Sequence, residues 1–288
     1  MESRRPPSYN RLEHIAPSPD GGSARAPTRR HRRTLKVTGM WAHFREMKRF
    51  VTEDSFWELF PGASFGVVVA QGMKPAAEVD DEALAAIRAL LARANTHAER
   101  HLESPTLSEN PAVRVWRQAY QQFKTKRGAR CSIENLLKRV LKGNPVGSIS
   151  PSVDIYNAVS LTYALPLGGE DIDAFEGDLR LTITQGGDAF LPLGEGAEDD
   201  PTLPGELAYL DDAGAVCRCW NWRDGVRTAL TDDTRNAFLI VECVDPDRLE
   251  DCRAATDELA SLVEQHLGAT IAVKDLVTND HREVVIEA

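Results

Sequence analysis

The sequence predicts an α+β fold, with early helices packed on a mostly antiparallel sheet built largely from the second half of the chain. Two observations carry this. Between Asp80 and Lys142, apolar residues recur at steps of three and four, the signature of one helix face. From Leu179 onward, short alternating or β-branched runs follow one another with turn residues between them. Strands and helices do not alternate as βα units, and no repeat is present, which argues against a parallel sheet.

The elements follow in order. Residues 1–36 are rich in Pro, Ser, Gly and Arg and hold nine basic against three acidic residues, a net of +6. Such a segment buries too little apolar surface to offset chain entropy, so a disordered basic tail is expected, followed by a single globular domain over 37–288. The aromatics Trp41, Phe44, Phe50, Phe56, Trp57 and Phe60 suggest one or two helical turns docked on a core, ended by Pro61-Gly62. Phe65–Gln71 reads as a buried strand. Asp80 to about Leu102 is a helix on which His97 and His101 stand one turn apart; no acidic ligand joins them, and surface histidines are expected. Pro111 opens a second helix, with Val113, Trp116, Tyr120 and Phe123 inward. Ser132 is expected to cap a third.

The stretch Pro145–Asp173 organises the rest. Ser150 and Pro151 are suited to start a short helix, and Pro166 stops it. Gly168-Gly169 allows a tight turn delivering Glu170, Asp171 and Asp173. On the helix, Asp154, Asn157 and Ser160 form a polar stripe beside an apolar face. Two readings stand: a buried capping network, or a wall facing a ligand. Beyond it, strands are expected at Leu179–Thr184, Asp188–Leu193, Asn236–Cys243, Thr270–Val273 and Val284–Ile286. A hairpin is expected from Gly205–Leu210 and Ala215–Trp220, and a last helix from Pro246 to about Leu267.

Charge and cysteines narrow the function. The net charge is −10, yet residues 124–142 hold seven basic residues against Glu134. With two basic segments, the remaining body carries −22 and is suited to local rather than general contact with nucleic acid. Five scattered cysteines fit reduced thiols in a cytosol, and Cys217 and Cys219 lack a second pair for zinc. No apolar run reaches the roughly 18 residues of a membrane span, and none follows the N-terminal arginine pair as a secretory signal requires. Phosphate-binding loops, dinucleotide fingerprints, nucleophile elbows and zinc-protease motifs are missing. No histidine lies between His101 and His266, which disfavours a His-based triad.

The motifs WRQAYQQF at Trp116, CSIENLLKRVLKG at Cys131, PSVDIYNAVSLTYALPLGGEDID at Pro151, FLPLG at Phe190, PGELAYLDD at Pro204 and CRCWNWRDG at Cys217 occur in one order. Over residues 111–243 this resembles the B3/4 domain, the editing module of the phenylalanyl-tRNA synthetase β subunit and of free-standing proteins. With no synthetase catalytic or anticodon-binding part in evidence, the chain looks like a free-standing member. The resemblance implies a B3/4-like editing fold and an aminoacyl-tRNA deacylase that acts in trans on the ester at the 3′ end of mischarged tRNA. Aligning a water and stabilising the oxyanion suffice for such an ester.

On that reading Asn157 and Glu206 are the catalytic candidates. Glu206 binds an ammonium or positions water, or else is a surface acid at a hairpin edge. Asp154, Ser160, Asp171 and Asp211 join them in binding substrate, and the acids Asp154, Asp171, Glu206 and Asp211 suit a cationic side chain. Trp220 and Trp222, expected on one strand face, either stack on the terminal adenine or belong to the core; in the core, Arg218 or Arg223 pairs with a buried acid. Lys124, Lys126, Arg127, Arg130, Lys138, Arg139 and Lys142 contact tRNA phosphates. No cofactor, metal, membrane or obligate protein partner is implied, and a cytoplasmic location is expected. The competing reading is a non-catalytic tRNA- or amino-acid-binding module that kept the fold.

Overall fold

A computed structural model describes residues 47–194 and 196–287. The expected basic tail, with Trp41 and Phe44, lies outside the described residues.

The most buried runs form the centre. β2 (Ser64–Gln71) is apolar on both faces, and β8 (Ala237–Cys243) is buried throughout. They pair antiparallel from Ser64↔Cys243 to Ala70↔Ala237. β3 (Leu167–Asp171) joins the far side of β8 and β9 (Thr270–Thr278) the far side of β2, giving a four-stranded sheet ordered β3-β8-β2-β9. A second sheet has six strands: β10 (Glu283–Glu287), β1 (Lys48–Thr52), β4 (Leu179–Ile183), β5 (Leu207–Asp211), β6 (Gly214–Arg218) and β7 (Arg223–Asp224). All pairs are antiparallel except β1 with β4.

Strand alternation assigns the layers. Phe65, Val67 and Val69 of β2 pack with Phe50, Leu181, Tyr209, Val216, Phe238 and Ile240 in one core between the sheets. Val68 and Ala70 point the other way, into a core shared with α5 (Pro151–Tyr163) and α6 (Leu249–Leu267). α2 (Asp81–Ala98) packs on α5 and contributes Ile87 to that outer core. α1 (Asp54–Leu59), α3 (Pro111–Ala119) and α4 (Ser132–Leu141) feed the inner one through Phe56, Val113, Trp116, Ile133 and Leu137. The α+β, largely antiparallel character stands; the strands divide into two sheets, and the C-terminal α6 joins the helical layer.

Local chemistry explains the ends. The Asp80 carboxylate accepts from the Ala83 amide at 2.9 Å and starts α2. Gly268, at φ +65°, ends α6. Ser150 does not cap α5 with its hydroxyl; Asp154, one turn in, instead accepts from the Ile149 amide at 2.7 Å and from the Ser148 hydroxyl. Ser132 is the first residue of α4 rather than its cap, and its hydroxyl has no hydrogen-bond partner among the described residues. His97 and His101 are half-buried, and His101 Nε2 lies 3.0 Å from the Thr162 carbonyl.

Three strand readings are corrected. Gly168-Gly169 is not a tight turn; both lie inside β3, where pairing with β8 holds them extended. Asp188–Leu193 forms no strand, because Gly186 and Gly187 at φ +86° and +88° bend the chain into a loop tied back by Asp200 N to Phe190 O at 2.8 Å. From Lys48 to Thr52 the chain is β1, a strand not expected there; the helical turn and docked aromatics read for this stretch follow as α1, with Phe56, Trp57 and Phe60 in the inner core.

Helix and sheet approach closely at Gly66, where a Cβ would fall 1.7 Å from Thr256 Oγ1 of α6. Gly66→Ala is expected to destabilise the fold by about 1–3 kcal/mol. Thr256→Ala in the same chain restores part of that loss, a coupling read by urea denaturation of the four members of the cycle.

Candidate functional site

The turn between β6 and β7 spans Cys219–Trp222, and Cys219 and Trp220 both take left-handed backbone, at φ +46° and +65°. Neither is glycine, so each conformation costs on the order of 1–3 kcal/mol and needs fixing from outside. Glu206 does this. It is wholly buried, and its Oε1 accepts from the Cys219 amide at 2.9 Å. Arg218, also wholly buried, binds it at both oxygens: Nε to Oε1 at 2.9 Å and Nη2 to Oε2 at 2.6 Å. Arg218 Nη1 reaches the Asp200 carbonyl at 2.6 Å. Burial pushes the Glu206 carboxyl up, but Arg218 and the amides of Leu203 and Cys219 outweigh it and hold it below the usual range. Arg218 is thus the arginine that pairs with a buried acid, as the core reading of the tryptophans requires.

The turn seats Trp220 in the inner core, against Phe56, Phe60, Trp116 and Phe123. Its indole Nε1 donates to Glu242 Oε1 at 2.9 Å, where the Tyr209 hydroxyl also donates. Asn221 donates to Glu242 Oε2, while its own Oδ1 accepts from Tyr120 Oη at 2.9 Å. Glu242 is therefore a buried acid with three neutral donors and no cation. Burial pushes its carboxyl up, the three hydrogen bonds restrain it, and the balance lies at about 7.

Between the sheets, where β3 and β8 face β5, β6 and β7, lies a cavity of about 90 Å³. Its walls are Phe238, Ile240, Leu179 and Val216, and its polar groups come from Glu242, Glu170, Asp224, Tyr209, Asn221 and Ser132. Gly168 opens the β3 wall; a Cβ there would meet nothing within 4 Å. Burial pushes Glu170 well above the usual carboxylate range, and the charge of Asp224 adds to this. Burial raises Asp224 as well. Cys217, raised by burial and by both acids, completes an acidic corner.

Of the substrate-binding residues expected from sequence, Trp220 and Trp222 line this cavity. They do so from a turn rather than one strand face; Trp220 is core, and half-buried Trp222 carries the Arg223 guanidinium 5.7 Å from its ring centre. The others do not line it. Asp154 and Ser160 are buried in capping bonds, Ser160 Oγ donating to Leu165 O at 2.6 Å. Asn157 is buried on α5 outside the lining. Asp171 accepts from the Asp173 amide at 3.0 Å and the Thr234 hydroxyl at 2.8 Å. Asp211 is held by Arg227 through two bonds of 2.8 and 2.6 Å. Glu206 is not an exposed hairpin edge but the partner of Arg218.

In the basic segment, Lys126 pairs with Asp200 and Arg130 approaches Glu134 at 3.7 Å. Arg139 Nη2 reaches the Pro145 carbonyl at 3.2 Å. Lys124, Arg127 and Lys142 are exposed and Lys138 is half-buried. The segment starts beside the turn: the Lys126 amide faces Cys219 Sγ at 3.4 Å, and the Ser132 amide faces Asn221 Oδ1 at 3.4 Å.

Sequence reasoning missed Asp224 and Glu242. The available signal was one acid inside an apolar strand, AFLIVEC, where a charge needs partners.

Arg218→Ala leaves Glu206 buried without its counter-ion and loosens the turn. It is expected to cost about 3–5 kcal/mol, measured by chemical denaturation. Glu242 gives a pH signature. Its folded pKa is raised from 4.5, so the unfolded chain loses this proton first as pH rises. Stability therefore declines from about pH 4.5 to about pH 7 and then levels. Glu242→Gln has no proton to lose and is expected to remove on the order of 3 kcal/mol of that decline. Denaturation at pH 5 and pH 8 compares the slopes; equal slopes would assign the ionisation elsewhere.

The family model of the B3/4 domain matches residues 115–268, reaching past the motifs into α6. A solved N-terminal fragment of the phenylalanyl-tRNA synthetase β-subunit from Pyrococcus horikoshii is similar over 81% of this chain and 52% of that one, with 12% identity and a TM-score of 0.39. This chain thus spans about half the length of that fragment. None of the curated proteins matches. No helix among the described residues is long and apolar enough to cross a membrane. The family model takes in more than half of the chain, including both strands that carry Glu170 and Glu242 and the turn between them in space, and the protein belongs to the B3/4 domain family.

Proposed function

We propose that the protein is an aminoacyl-tRNA deacylase acting in trans on mischarged tRNA, with the cavity between the sheets as the pocket for the aminoacyl group. The observation that carries this reading is Glu242: a buried carboxyl facing a cavity, poised near neutral pH, inside the region that matches the B3/4 family. A carboxylate with that pKa is a competent general base at neutral pH. It takes a proton as water attacks the ester carbonyl; the carbon–oxygen bond to the ribose then breaks, and the departing ribose oxygen regains a proton. The products are free amino acid and uncharged tRNA. No histidine is needed.

The remaining groups serve this step at a distance. Tyr209, Trp220 and Asn221 fix the base through their hydrogen bonds. Glu206, on this reading, is a positioning residue that holds the turn. Asn157 stands on α5, outside the lining. On this reading the basic segment, tied to the same turn at Lys126 and Ser132 and with Lys124 and Arg127 exposed, receives the phosphates of the tRNA end.

The test is release of amino acid from a panel of correctly and wrongly charged tRNAs at substoichiometric protein. Turnover on at least one mischarged species is expected, with cognate pairs spared. Glu242→Gln should lower the rate by about 100-fold or more. Gly168→Leu, which projects a side chain into open space, should abolish release while leaving the melting temperature near that of the parent. No release from the whole panel, with tRNA still bound, would favour the binding-module reading.

A further inference from the structure

We propose that a second pocket, outside the cavity between the sheets, binds a phosphate group between the guanidinium groups of Arg117 and Arg130. The site is separate from the pocket of the deacylase reading and stands or falls by binding alone.

The pocket lies where α3 meets the start of α4 and has a volume of about 260 Å³. Trp116 and Tyr120 form its aromatic wall, and its charged groups are Arg117, Arg130 and Glu134. Glu134 is buried, and Arg117 grips it as a fork, Nε to Oε2 at 3.1 Å and Nη2 to Oε1 at 2.6 Å. That leaves Nη1 of Arg117 with no partner among the described residues. Arg130 makes no hydrogen bond among them and reaches Glu134 Oε1 only at 3.7 Å. The two arginine side chains are 41% and 44% exposed, so both can turn to a ligand in the pocket. Two guanidinium charges against one carboxylate leave the lining positive, in a chain whose net charge is −10.

Two arginines on separate segments suit a tetrahedral oxyanion, whose oxygens accept from both guanidiniums at once. A carboxylate has two oxygens in one plane and is gripped by one fork, as Glu134 already is. Position points the same way, because the pocket and the cavity share a wall. Cys131 lines the pocket and Ser132 the cavity. Tyr120 of the pocket donates to Asn221 of the cavity at 2.9 Å, and the rings of Trp116 and Trp220, one from each lining, lie 4.8 Å apart. A nucleic-acid strand with its end in the cavity is therefore placed to lay a backbone phosphate beside Arg117 and Arg130, in the segment that also exposes Lys124 and Arg127. A free phosphate monoester offers the same oxygens, and the test separates the two sources.

Binding of a labelled, uncharged RNA minihelix ending in CCA is measured by anisotropy on the full chain over a range of chloride concentrations, and binding of AMP and of inorganic phosphate by calorimetry. Arg130→Gln leaves the fork between Arg117 and Glu134 intact; it is expected to weaken binding about tenfold and to flatten the minihelix salt slope by about 0.7. Glu134→Gln keeps the shape of the fork and removes its negative charge, and should tighten binding about threefold or more. A gain of that kind cannot come from a misfolded chain. Arg93→Gln, the same charge change at an exposed position of α2, should alter binding by about twofold at most. Opposite shifts in the two pocket variants with the minihelix alone assign the site to a strand phosphodiester; the same shifts with AMP or inorganic phosphate assign it to a free phosphate group as well. No binding of any probe, or either pocket variant behaving as Arg93→Gln does, overturns the site and leaves the deacylase reading to its own assay. A phosphate site found together with no release from any charged tRNA overturns the deacylase reading and leaves this site standing.

Discussion

The buried ion pair of Arg218 with Glu206 is the constraint on which the site depends. Two charges taken out of water cost several kcal/mol each, and their attraction repays this only with good geometry. Here the geometry is a two-point fork, with the third guanidinium nitrogen satisfied by Asp200 and a carboxylate oxygen shared with the Cys219 amide. That last bond matters most for the shape of the turn. It holds a non-glycine residue in left-handed backbone and so reverses the chain within Cys219–Trp222. The reversal points Trp220 into the aromatic core, sets Asn221 over Glu242 and returns the chain along β6 so that Asp224 reaches the cavity.

The cavity follows from the layer arrangement. Two sheets pack well where both present large side chains, as at Phe50, Phe65 and Tyr209. At the β3 edge the strand presents Gly168 instead, and its neighbour β8 carries Glu242 near its end where an aliphatic residue would fill the layer. A small residue and a polar group side by side on one sheet leave space that apolar packing does not fill. The glycines of β3 thus have separate duties. Gly168 leaves room on the cavity side, while Gly169 faces the helices, where a Cβ would fall 2.6 Å from Leu239.

Much of this was legible in the chain. Periodicity placed α2, α3, α4, α5 and α6, and alternation placed β4 and the β5–β6 hairpin, because in these the burial pattern and the local pattern coincide. It failed where tertiary contacts override local preference. Gly168-Gly169 reads as a turn, yet pairing with β8 draws it straight. Cys219 to Trp222 reads as strand, yet Glu206 bends it. The polar stripe of α5 was visible, but its partners were not: Asp154 turns to Ile149 and Ser160 to Leu165, contacts a few residues away that depend on how the loops close. Glu242 was hidden in an apolar run, and Asp224 in a short edge strand. Neither spacing nor composition brings residues 170, 224 and 242 together; only the sheet order does.

Glu206 and Glu242 show how one turn produces two different acids. They lie on opposite sides of it and both are almost wholly buried. Glu206 has a guanidinium and stays ionised below its ordinary range; Glu242 has only neutral donors and is pushed up to about 7. The ion pair makes Glu206 a fixed structural charge, able to stiffen the turn but poorly suited to exchange a proton. Without a cation, Glu242 keeps nearly equal free energies in its two protonation states, which is the property acid–base chemistry needs. Moving the arginine from one acid to the other would exchange these roles. The placement of Arg218, behind the turn rather than in the cavity, therefore separates the fixed charge from the titratable one.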